Sequence, residues 1–157
     1  MSYSYFKLIH LLAVMIFLGN LITGLFWMRL AIKTKDLKSI CFTIKSIIKL
    51  DSYFTIPGVI IITTAGIFAG VYGHFPLLHT GWILWSIILL SLSGIVFGFI
   101  VAPLQKKIYH LTLNKEATNN FDWTTFYKLC VAWDVWGLIA LILPLVAFVM
   151  MTLKIPQ

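Results

Sequence analysis

Four stretches of this chain stay apolar for the length that crossing a bilayer demands, roughly residues 6–28, 53–72, 82–102 and 131–153. A spanning helix takes about 20 mostly apolar residues, so each stretch predicts one transmembrane helix. Turn and cap residues stand at the joints. Asp51-Ser52 is placed to cap the second helix, Gly73 and Pro76 to end it, and Gly81 and Pro103 to bracket the third. Asp122 is placed to cap an early start to the fourth. A different pattern lies between the first two spans. Leu37, Ile40, Cys41, Ile44, Ile47 and Ile48 recur at helical spacing with Lys38, Lys45 and Lys49 among them. This predicts a basic amphipathic helix that either lies on the anionic inner leaflet or continues a neighbouring span.

Composition agrees with a lipid solvent. Hydrophobic residues make up 61% of the 157 positions and charged residues 11%, against roughly 45–50% and 25% in soluble domains. The chain reads as one membrane domain over residues 1–157. Its first segment is too long for a signal peptide, has a single lysine, Lys7, as its charged n-region, and lacks a small-x-small cleavage site after it.

The net charge of +7 has a topological explanation. Arg29, Lys33, Lys35, Lys38, Lys45 and Lys49 fall between spans one and two, and Lys106, Lys107, Lys115 and Lys128 between spans three and four. Only Lys7 and Lys154 lie on the other side. The positive-inside rule therefore predicts both termini outside and the two long loops in the cytoplasm of a multi-pass inner-membrane protein. The lipid bilayer is the partner that this charge addresses; nucleic acid is not. Tyr3, Tyr5, Phe6, Trp82 and Trp85 would form the outer aromatic belt, and Trp27, Trp123, Trp133 and Trp136 the inner one. Cys41 and Cys130 would both face the reducing side and stay as thiols.

Helical spacing also predicts which faces pack. His10, Ala13, Phe17, Asn20 and Gly24 share a stripe on the first helix, and Thr63, Gly66, Gly70 and His74 on the second. Gly94-x-x-x-Gly98 offers a close-packing patch on the third; Asp134, Gly137, Leu141 and Pro144 align on the fourth. One helix-facing stripe per span predicts an all-α, four-helix membrane bundle.

The chemistry is carried by few residues. No zinc-ligand spacing, Walker loop, nucleophile elbow or dinucleotide fingerprint is present. His10 opens the first span near the outer face. His74, at the end of the second stripe, is expected at the same depth, so the two imidazoles would face one another as haem b ligands. His79 would complete a copper or other metal site. The alternative is a His10 that hydrogen-bonds a backbone carbonyl, with His74 and His79 solvated in the outer loop. Asn20 is expected to bond between helices. Arg29, Asp51, Asp134 and Gln105 are expected to form a structural polar network at the inner ends of the spans, across the bilayer from His10.

Several short motifs occur together: Lys7-x-x-His10, Gly24-Leu25-Phe26-Trp27, Asp51-x-x-Phe54-x-x-Pro57-Gly58, Thr64-Ala65-Gly66, Gln105 after Pro103, Trp133-x-x-x-Gly137 and Met151-x-x-Lys154. In this order they resemble the small predicted integral membrane proteins of unknown function, four-span proteins of about this length. More distantly, the first span is similar to those of the HemJ-type protoporphyrinogen oxidases and the copper-resistance D membrane domains. That resemblance implies a haem or metal role for His10 and carries over no other residue. It makes a haem b redox module, delivering electrons to a quinone or an external partner, the leading expectation. A non-catalytic membrane scaffold or subunit and a copper-handling protein are the alternatives, and a homo-oligomer is compatible with each.

Overall fold

The computed structural model describes residues 3–114 and 121–156. Four long helices carry the described chain: α1 (Tyr3–Thr34), α2 (Leu37–Tyr72), α3 (Gly81–Leu113) and α4 (Trp123–Leu153). No strand is present among the described residues. Each helix has 31 to 36 residues, or about 46–54 Å at 1.5 Å per residue. The hydrocarbon core is only about 30 Å thick, so every helix projects well beyond it.

Most of that excess, measured against the four apolar stretches, lies at the end opposite the turn formed by residues 73–80. The amphipathic segment Leu37–Leu50 does not lie apart from the spans. It is the first part of α2, joined to Ile56–Tyr72 through one π-helical stretch, Asp51–Thr55. Asp51-Ser52 therefore sits inside a continuous helix, not at its cap. Pro103 likewise does not end the third span: α3 runs Gly81–Val96, a π-helical stretch Phe97–Val101, and on from Ala102. The two π stretches have one physical cause. Pro57 and Pro103 cannot donate an N–H, and their rings would collide with the carbonyl four residues earlier. Just before each proline the backbone widens by one residue, with Ile56 N–H bonded to Asp51 O and Ala102 N–H to Phe97 O.

Aspartates cap the starts of α2 and α4. Asp36 accepts from the N–H groups of Lys38 and Ser39, and Asp122 from those of Thr124 and Thr125. Hydrogen bonds from Ser39, first its hydroxyl and then its N–H, hold the Asp36 carboxyl below its usual range. Lys115, one of the lysines used for the topology, lies outside the described residues.

The helices pack differently at the two ends. At the basic end all four close on a shared core, with Met28, Ile40, Ile44, Ile108 and Phe126 fully buried and Cys130 and Trp133 beside them. At the other end the bundle is two hairpins, α1 with α2 and α3 with α4. There no Cα of Ile56–Tyr72 comes within 8 Å of one in Gly81–Val96. Leu90 reaches across to the Ala13, Phe17 and Ile62 cluster, and Phe75 of the 73–80 turn meets Trp82 edge-on. Within the second hairpin the seam is made by serines: Ser86 donates to Ala147 O at 3.2 Å and Ser93 to Ala140 O at 2.6 Å. The Gly94 and Gly98 patch is not part of that seam, since a side chain at either position would meet nothing within 4 Å.

Candidate functional site

The antiparallel register of α1 and α2 is set by small residues. Phe17 packs on Gly58, Gly24 faces Ile47, and the His10 ring lies against Gly66. A methyl group at Gly66 would sit 3.1 Å from both Cε1 and Nδ1 of the imidazole. With that space open, Nδ1 of His10 comes within 2.8 Å of the Ile62 carbonyl. A carbonyl only accepts, so Nδ1 must carry the proton. Nε2 then keeps the lone pair in the neutral ring, and no partner among the described residues reaches it. The sequence pattern placed His10 on this seam correctly.

His74 does not meet it there. The register sets His10 beside Ile62 and Gly66, whereas Gly73 caps α2 and His74 follows in the turn to α3 with φ 54°. Eight residues separate Gly66 from His74, about 12 Å of rise along a helix. His74 and His79 are both exposed in that turn. The expected facing pair at one depth is thus replaced by a single imidazole bonded to a carbonyl, with two surface histidines above it. No group of three His, Cys, Asp or Glu side chains close enough to hold a metal ion occurs among the described residues.

The second polar centre surrounds Asp51. Asn20 Nδ2 donates to Asp51 Oδ1 and to Thr55 Oγ1, each at 2.9 Å. Thr55 Oγ1 donates in turn to Asp51 Oδ1 at 2.8 Å. Gln105 Nε2 donates to Asp51 Oδ2 at 2.8 Å. Asp51, Thr55 and Gln105 are all at least nine-tenths buried. Three helices are joined through one carboxylate, which is the way a charge or polar group is tolerated away from water. A small cavity adjoins the cluster, lined in part by Asn20, Asp51, Gln105, Val101, Gly137 and Trp133. Both π-helical stretches border it, through Asp51 in α2 and through Phe97 and Val101 in α3. π-helical turns are frequent at functional sites, where they re-aim side chains.

Asn20, Asp51 and Gln105 were expected in polar roles; Arg29 and Asp134 join a different contact. Arg29 Nε donates to Asp134 Oδ2 at 3.1 Å on the bundle surface, apart from the Asp51 cluster. The expected network is therefore two units, because Asn20 is turned towards α2 and Arg29 towards α4. Thr55 and Trp133 are the members that the sequence pattern did not single out. Thr55 is four residues after Asp51, a spacing that places both on one helix face. Trp133 was assigned to the aromatic belt, yet it is 2% exposed and belongs to the core. The two centres lie well apart: ten residues of α1 separate His10 from Asn20, about 15 Å of rise.

Residues 4–155 match the family model of a predicted integral membrane protein, DUF2269. The chain belongs to this family. Its members are defined as integral membrane proteins of unknown function, and the four long apolar helices described above are the structural counterpart of that definition. No curated protein matches the chain, and no solved structure does.

Proposed function

We propose that this family member is a membrane redox module that binds haem b through Nε2 of His10. The observation that carries the reading is the hydrogen bond from Nδ1 to the Ile62 carbonyl. Metal-ligating imidazoles commonly donate their other N–H to a carbonyl or carboxylate, which fixes tautomer and orientation and raises ligand basicity. Gly66 supports the same geometry by letting the ring lie close to α2. His10 would be the residue that holds the haem, and His74 and His79, exposed in the turn between α2 and α3, are the further histidines that this end of the chain could offer it. Haem would supply one-electron chemistry; the chain's contribution is to hold and orient one imidazole and to surround it with apolar helix faces. A quinone or an external redox protein would be the electron partner.

The reading is tested by a reduced-minus-oxidised absorption spectrum of protein purified from haem-replete cells. Soret and α bands are expected in the native chain, lost in His10→Ala and kept in His79→Ala. Bands that survive His10→Ala would move the ligand elsewhere. The absence of bands would leave the second reading, a non-catalytic membrane scaffold, which is favoured by the way Asn20, Asp51, Thr55 and Gln105 satisfy one another. Copper analysis of the same sample tests the third.

The proposed setting is an inner membrane with both chain ends outside, supported by the lysine distribution. Cys41 reports on it, being half-buried on the basic segment while Cys130 is buried. A membrane-impermeant maleimide is expected to label Cys41 in inverted vesicles and to leave it unlabelled in intact spheroplasts. The opposite result reverses the orientation.

A further inference from the structure

We infer that the cavity beside Asp51 is a water-binding site built into the bundle, in which one water accepts from the Trp133 indole N–H and donates to the Asp51 cluster. The inference is independent of the haem reading and concerns a different part of the molecule. Its starting point is an unmatched donor. Trp133 is 2% exposed, and among the described residues no acceptor reaches its Nε1–H. Buried N–H groups nearly always have a partner, in protein or in ordered water. Trp133 lines the same cavity as Asn20, Asp51 and Gln105, so the side chain that carries the donor and the polar cluster border one space.

That space also has acceptors. Among the described residues Gln105 Nε2 is the one donor to Asp51 Oδ2, and a carboxylate oxygen has two lone-pair sites. The amide groups of Asn20 and Gln105 use their nitrogens on Asp51, and among the described residues no donor bonds to their oxygens. An occupant must therefore accept from an indole N–H and donate to one or two oxygens. Metal cations fail the first condition, since the indole N–H presents its positive end. Carbonyl compounds such as quinones fail the second, and the cavity admits only a water-sized molecule. Water meets both conditions.

The backbone shows why the space exists at this level. The π-helical stretches Asp51–Thr55 and Phe97–Val101 each add a residue to their turn, and Asp51, Phe97 and Val101 from these stretches form part of the wall. Small residues opposite them, Gly24 on α1 and Gly137 on α4, keep the remaining walls back.

The chain has six tryptophans, so the indole N–H signals of a ¹⁵N-tryptophan sample in micelles are few enough to resolve. Trp133→Phe assigns the signal. The expected result is cross-relaxation between the Trp133 indole proton and water, with the sign in rotating-frame spectra that marks a bound molecule rather than hydrogen exchange. The Gln105→Leu variant, which removes an amide and fills space, is expected to abolish it while the signals of Trp27 and Trp85, on exposed faces, stay in place. No cross-relaxation at Trp133 in the native protein would overturn the site. Cross-relaxation that persists undiminished in a folded Gln105→Leu variant would overturn the assignment of the cluster as its holder. If that variant does not fold, the native spectrum alone decides.

Discussion

Asp51→Leu is expected to destabilise the folded bundle by roughly 3 kcal/mol, more than any other single polar substitution. The carboxylate accepts from three side chains on three helices, and its loss strands the donors of Asn20, Gln105 and Thr55 in a region with little water. A buried donor left without a partner costs about 1–3 kcal/mol. Part is recovered, because Asn20 can keep its bond to Thr55. Asp51→Asn should cost much less. It retains an oxygen for Asn20 and Thr55, and the Gln105 amide can turn its oxygen to the new N–H₂ group. Unfolding in mixed micelles, followed by circular dichroism against denaturing detergent, measures both. Equal losses in the two variants would mean that the negative charge matters and that the hydrogen-bond pattern does not.

Phe126→Ala should cost about 3–5 kcal/mol, the usual range for removing a fully buried aromatic side chain. Phe126 is 0% exposed and sits among Met28, Ile40, Ile44 and Ile108 in the core at the basic end. The helices are longer than the hydrocarbon is thick and the lysines gather at that end, so water is expected to drive its burial as in a soluble domain. Phe17→Ala is the informative comparison. Phe17 is 3% exposed but lies where the helices are surrounded by lipid, and lipid tails solvate an exposed apolar face as readily as protein does. Its loss should therefore cost less, chiefly in packing. The same unfolding assay separates the two, and a larger effect at Phe17 would place the stabilising core in the membrane rather than below it.

Some of the candidate chemistry was legible in the residues alone. Asn20, Asp51 and Gln105 stand out because polar side chains are expensive in lipid and must find one another. Which ones pair was not legible, since a stripe on one helix gives a direction and no register. A displacement of about two turns between α1 and α2 decides whether His10 meets His74 or Gly66, and the packing of Phe17 on Gly58 chose Gly66. Trp133 shows the same limit: a tryptophan near a span's end suits an aromatic belt by composition, and only the position of α4 against α1 and α3 buries it.

Sequence by itself determined that there are four helices, that lipid surrounds them, and that the basic loops share one side. Each follows from local quantities, apolar length and charge count, which do not depend on partners. Tertiary structure alone decided that the amphipathic segment stands upright as part of α2 and that prolines 57 and 103 are absorbed by π-helical turns. It also decided that four polar side chains converge where those turns open a space. Those outcomes depend on how helices from distant parts of the chain fit together, and periodicity along a single helix does not contain that information.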